Sequence, residues 1–176
     1  KYNVRERKIN SNNGIYQLTD FYIQFYHDFC SKHTTDEHFW ENSINSPKQN
    51  TWYGLAYERL CMAHIPQIKE ALGIQRIRTE YYSWRSKESV PAAQVDLIIE
   101  RADQIISLCE IKYSKGIYSL DAKEEERLRN RITDFADETK VKEAVQLVLI
   151  TTYGLKDNAH STEVNDRVVL DDLFKS

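Results

Sequence analysis

The chain has no apolar run approaching the length of a membrane span, and no signal peptide opens it. Neither a helical membrane anchor nor a secretory route is therefore expected. Cysteine is scarce. Cys30, Cys61 and Cys109 show no Cys-x-x-Cys spacing and cannot all pair, which points to reduced structural thiols in a cytoplasmic protein. His27, His33, His38 and His64 form no zinc pattern, because His33 and His38 stand five apart in a predicted loop without cysteine partners. His160 falls in a polar loop and is assigned no role. No Ser/His/Asp set, P-loop or dinucleotide fingerprint occurs, and there is no internal repeat or low-complexity segment. An excess of positive charge is also missing. Against 24 Lys and Arg stand 27 Asp and Glu, a formal net charge of −3. A dedicated nucleic-acid binder usually carries a basic surface, so contact with nucleic acid would need a local basic patch or a partner.

What is present is an ordinary globular composition, 41% hydrophobic and 29% charged over 176 residues, enough for one domain with a real core. A first residue of Lys rather than Met leads us to expect a fragment of something longer. Ser11-Asn12-Asn13-Gly14 reads as a turn and Ile15 to Leu18 as a short strand, with Thr19 or Asp20 as N-cap of the next helix. Phe21, Phe25 and Phe29 recur every fourth residue, which predicts an amphipathic helix over 20–32 whose aromatic stripe is a packing face. Residues 33–50 read as loop and short helix anchored by Phe39 and Trp40, with Ser46-Pro47 as a break. A second helix is predicted over 51–64, with Trp52, Leu55, Ala56, Leu60 and Ala63 as its stripe. Pro66 suits the first turn of a short successor helix and Gly73 its cap. Ile74 to Trp84 reads as the first strand, Ser86 to Ser89 as a polar turn, and Pro91 as the start of the next strand. Asp121-Ala122-Lys123-Glu124 has capping-box spacing and opens a helix over 121–143. Its acidic first turns and later Arg127, Arg129 and Arg131 suit the helix macrodipole. Ala144 to Thr152 reads as a central strand covered on both faces. Val168-Val169-Leu170 is a short apolar segment in the tail. From Thr51 the order is helix, three strands, helix, strand, an α/β arrangement with a mixed sheet.

The most informative stretch runs from Val95 to Lys112. Two runs rich in Ile, Leu and Val flank a short polar turn, the signature of a β-hairpin. Ionisable groups inside such runs are costly to bury unless they pair or bind a metal. Glu110 and Lys112 share one face of their strand. With the turn centred on Ala102 or Asp103, Asp96 lies opposite or diagonal to Glu110 on that face. Two carboxylates beside an ammonium suit a hard divalent cation that keeps open positions for water and a phosphate. The competing reading is a structural ion pair of Lys112 with Asp96 or Glu110, partly buried and without chemistry.

With Asp96, Glu110 and Lys112 forming Asp-x13-Glu-x-Lys on this hairpin, residues 51–155 resemble the core of the PD-(D/E)XK nucleases. The resemblance implies an α/β restriction-endonuclease-like fold, α-β-β-β-α-β, its mixed central sheet flanked by helices, over residues 51–176, with 1–50 as a helical, aromatic-rich N-terminal extension. By it, Asp96 and Glu110 match the two acids, Lys112 the lysine, and Glu58 the acid that many members add on the preceding helix. Pro91 does not directly precede Asp96, a departure from the motif. Tyr16-Gln17-Leu18-Thr19-Asp20-Phe21, Trp52 to Glu58, Ile68 to Ile74, Leu108 to Lys112 and Ile150 to Leu155 are also similar to the C-terminal nuclease-like region of certain prokaryotic AAA-family ATPases.

The implied function is metal-dependent phosphodiester hydrolysis, on DNA. Asp96, Glu110 and Glu58 would hold Mg²⁺ or Mn²⁺, and Lys112 would orient the attacking water and stabilise negative charge on the phosphate. The implied partners are DNA and an ATPase module in the same chain; self-association stays open. Lys115, Arg127, Arg129 and Arg131 read as a solvated helix face offset by Glu124, Glu125 and Glu126 rather than as a phosphate track. The alternative function is a catalytically idle interaction or regulatory module of such an ATPase. The acidic net charge favours that alternative, and the intact acid–acid–lysine set favours the nuclease.

Overall fold

The computed structural model describes residues 18, 20–31, 35–88 and 92–175. The turn at Ser11–Gly14, most of the short strand at Ile15–Leu18, the candidate cap Thr19, His33 and Pro91 lie outside the described residues. The elements are α1 (Phe21–Phe25), a π-helical turn (Tyr26–Cys30), α2 (Phe39–Asn42), α3 (Pro47–Ala63) and α4 (Ile65–Ala71), followed by β1 (Thr79–Arg85), β2 (Gln94–Arg101) and β3 (Ile105–Lys112). Helix α5 (Ala122–Thr139) then leads to β4 (Ala144–Thr151), β5 (Val164–Val169) and a closing 3-10 turn (Leu170–Phe174).

The strands form one mixed sheet in the order β1-β2-β3-β4-β5. The first three make an antiparallel meander, whereas β3, β4 and β5 run parallel. The β2–β3 turn closes through Gln104 at φ 66. A parallel β3–β4 pair requires a crossover, and α5 supplies it. Strand β3 is central and buried over Ile106–Ile111, with polar Ser107 and Glu110 inside an otherwise apolar run. Its odd residues face α3 and α4: Cys109 and Ile111 join Leu97, Ile99, Val148, Ile150 and Val168 against Tyr57, Cys61, Ile65 and Ile68. On the other face Ile106 and Leu108 join Ile98, Leu147 and Leu149 against Leu128 and Phe135 of α5. Helices thus cover both faces, as an interior strand of this composition demands.

Four boundaries differ from the sequence expectation. Ser46-Pro47 does not break the chain but starts α3: the Ser46 side chain accepts from the Gln49 N–H and Pro47 fills the first turn, where its missing N–H costs nothing. The division at 50/51 therefore falls inside α3. Strand β1 begins at Thr79 rather than Ile74, because Gly73 at φ 68 ends α4 and the Ile74 N–H is spent on the Lys69 carbonyl (2.8 Å). Helix α5 stops at Thr139, where Lys140 turns left-handed at φ 53. Strand β5 extends the tail segment back to Val164, through Asn165, Asp166 and Arg167, whose exposure on an edge strand hides it from an apolar-run search.

The aromatic stripe of α1 is a packing face in part. Phe25 and Phe29 meet Trp40 and Trp52 with ring centroids 5.1–5.8 Å apart, while Phe21, Tyr22 and Tyr26 stay exposed. Asp20 caps α1 by accepting from the Ile23 N–H at 2.8 Å. Among the described residues no helix is long and apolar enough to cross a membrane.

The three thiols are free and differ sharply in setting. Cys61 and Cys109 are fully buried, and Cys30 is exposed. Burial pushes the Cys61 thiol up to about 12, against the opposing hydrogen bond with Tyr57, and drives Cys109 up as well. Since the thiolate is the reactive form, Ellman's reagent is expected to modify one thiol per native chain at neutral pH and all three in guanidinium. Rapid loss of a second thiol in the native state would contradict this assignment of the core.

Candidate functional site

The site forms on the α5 face of the sheet, where the hairpin carries its ionisable groups. Leu97 pairs with Cys109, so one step along the antiparallel register sets Asp96 opposite Glu110, with both side chains on the same face. Asp96 is half-buried, and its Oδ1 accepts from Gln94 Nε2 at 3.0 Å. Glu110 is only 2% exposed. It sits between Leu108 on its own strand and Leu149, its neighbour on β4.

A carboxylate buried this deeply must be compensated. Lys112 Nζ lies 2.7 Å from Glu110 Oε1, and Arg131 Nη1 donates to Glu110 Oε2. Each oxygen thus has its own cation. Lys112 comes from the same strand two residues on, and Arg131 descends from α5 above. The wall continues through Tyr118, Leu120, Glu124, Arg127 and Leu128. Tyr118 Oη donates to Glu124 Oε1 at 2.5 Å. Burial first, then that bond and the charges of Glu124 and Glu110, push the Tyr118 hydroxyl well above the ordinary tyrosine range, so it stays a donor. The same bond diverts Glu124 from a reciprocal capping box: Asp121 still accepts from the Glu124 N–H at 2.7 Å.

Asp96, Glu110 and Lys112 are therefore brought to one face of the hairpin. Glu58 lies on α3, the helix whose Tyr57 and Cys61 pack on the opposite face of the sheet. Among the described residues no group of three or more His, Cys, Asp or Glu side chains is placed to hold a metal ion, so Glu58 is not gathered with the other two acids. Hard oxygen donors at facing positions suit a Mg²⁺ or Mn²⁺ ion that takes its remaining ligands from water and substrate. Asp96 and Glu110 are the two acids that the hairpin register brings to this face.

Arg131, which the sequence assigns to a solvated face, instead reaches the buried Glu110. Its position was nevertheless readable. Glu124, Leu128, Arg131 and Phe135 follow the i, i+4, i+7, i+11 spacing of a single helix face, and Leu128 and Phe135 are buried. Arg129 does belong to the solvated face, paired with Glu125 at 2.8 Å and Glu163 at 3.3 Å.

No protein-family model matches the chain, and comparison with curated proteins yields no match. Among solved structures it is similar to the crystal structure of a "protein of unknown function AF1548", at 15% identity and a TM-score of 0.44. The match covers 65% of this chain and 64% of that one, so the chain spans somewhat less than two thirds of that protein's length.

Proposed function

We propose that this domain is a metal-dependent nuclease of restriction-endonuclease-like topology, hydrolysing phosphodiester bonds in DNA as the C-terminal part of an ATPase. The observation that carries the reading is the β2–β3 register, which sets Asp96 opposite Glu110 while Lys112 stands 2.7 Å from the Glu110 carboxylate. Asp96 and Glu110 would hold Mg²⁺ or Mn²⁺. Such an ion, when bound, polarises a phosphoryl oxygen and lowers the pKa of its bound water. Lys112, 37% exposed at the mouth of the site, orients the attacking water and faces the phosphate as its charge grows. Arg127 stands on the same wall, within 3.7 Å of Glu124.

A second reading, that of an idle interaction module, is favoured by a different observation. Both oxygens of Glu110 already have cationic partners, so the cluster is electrostatically complete as it stands.

Calorimetric titration separates the two. The nuclease reading expects weak Mn²⁺ binding at millimolar concentration, and Asp96→Asn is expected to weaken it about tenfold, because one of two anionic ligands becomes a neutral amide. Identical heats from wild type and Asp96→Asn would remove the metal site from consideration.

A further inference from the structure

Resting on the nuclease reading, we propose that Arg131 is a phosphate-binding residue held in reserve, which guards Glu110 until a cation and a substrate phosphate arrive together. Arg131 Nη1 donates to Glu110 Oε2, yet the Arg131 side chain is 26% exposed where that of Glu110 is 2%. Arg131 can therefore reach solvent and the pocket, while Glu110 cannot leave. Arg127 stands one helical turn away on the same wall, with only a 3.7 Å pairing to Glu124. The wall thus carries two guanidiniums and the Lys112 ammonium. A guanidinium matches a phosphate as well as a carboxylate, through two parallel N–H donors.

Space and charge both tie the two ligands together. With Arg131 on Glu110 the enclosed part of the cleft is about 20 Å³, room for a water or two beside the carboxylate, so a phosphate would be met at the open side where Arg131 and Arg127 stand. The formal charges of Asp96, Glu110, Lys112 and Arg131 sum to zero, and the Arg127–Glu124 pair adds none. A divalent cation alone would leave it doubly positive and would have to compete with Arg131 for Glu110. A phosphodiester gives Arg131 a new anionic partner and lowers that positive charge. Cation and phosphate each make the other's binding easier, and linkage requires the coupling to be reciprocal. The device restrains the carboxylates from taking up metal without substrate. Arg131 is thus a binding and gating residue.

The probes are Mn²⁺ and a short single-stranded oligonucleotide with a slowly hydrolysed phosphorothioate backbone, titrated calorimetrically, separately and together, so that binding rather than turnover is read. In the wild type, saturating oligonucleotide is expected to raise Mn²⁺ affinity about tenfold. Arg131→Gln is expected to bind Mn²⁺ alone about tenfold more tightly than wild type, to lose the oligonucleotide effect and to bind the oligonucleotide more weakly. Arg131→Lys keeps a cation for Glu110, and with it the fold, but gives up the two-pronged geometry. It is expected to weaken oligonucleotide binding while leaving Mn²⁺ binding near wild type. If Mn²⁺ binds wild type and Arg131→Gln equally and the oligonucleotide binds all three proteins alike, Arg131 is a structural counter-ion and the proposal fails while the metal site stands. If Mn²⁺ binds none of them, with or without oligonucleotide, both fall.

Discussion

Lys112→Ala is expected to abolish Mn²⁺-dependent nicking of plasmid DNA while leaving the protein folded. A preorganised charge placed where negative charge develops in the transition state is commonly worth about 10²–10³ in rate, and Lys112 has that placement, 2.7 Å from Glu110 and open to the pocket. Its structural share is set by its partner: the lysine is 37% exposed, but Glu110 is 2% exposed, so losing the ammonium is expected to cost some stability. Arg131 also remains on the other oxygen of Glu110, so the buried carboxylate is not left alone. Removing the competing ammonium is expected to leave Mn²⁺ binding unchanged or slightly stronger. The combination of lost cutting, kept metal binding and a cooperative melt is what a structural lysine would not produce. Equal cutting by wild type and variant points to a contaminating nuclease and counts against the assignment. Absence of cutting by the wild type, on single- or double-stranded DNA and on RNA, favours the interaction module.

The largest effect on stability is expected from Phe135→Ala. Phe135 is fully buried where α5 meets the sheet, edge-on to Trp84 with ring centroids 5.4 Å apart. Removing a phenyl ring from such a place costs about 3–5 kcal/mol in lost transfer free energy and residual cavity. In a chain of this size each kcal/mol lowers the melting temperature by roughly 2–4 °C, so a drop near 10 °C is expected in calorimetry. Ile117, 70% exposed, is the control: its replacement by alanine is expected to fall within about 0.5 kcal/mol of wild type. A Phe135→Ala protein melting with the control would mean that α5 is not anchored as described.

The parts of this fold that were legible in the sequence are those where one pattern dominates locally. Ile98, Ile106 and Leu108 on one face, with Leu97, Ile99 and Cys109 on the other, make the hairpin a nearly unbroken apolar run, so any ionisable residue within it stands out. Register follows from the turn, and register alone puts Asp96 opposite Glu110. The pieces that escaped depend on contacts between distant segments. Strand β5 is held as an edge by β4 and carries three consecutive polar residues, so it lacks a period of its own. Ser46-Pro47 can end an element or begin one, and only the bond from Gln49 N–H to Ser46 decides for the second. Glu58 was placed by family likeness, and nothing local tells which side of the sheet a helix will cover. Arg131 escaped because basic residues on a helix are usually solvated. Its partner, Glu110, lies 21 positions earlier on a strand.

That separation has a kinetic meaning. The β1–β2–β3 meander closes by short connections, whereas β4 can join β3 only after the chain has travelled through α5 and back. Local pairings are the quicker to form, and the parallel crossover carries the larger loop-closure cost. By this argument Glu110 is expected to fold with the meander and its guanidinium partner to join when α5 docks. Before α5 docks, the meander alone gives the carboxylate Asp96 across the hairpin and Lys112 on its own strand, without the cover of Leu128. The folding step that buries the acid is the same one that delivers Arg131 to neutralise it.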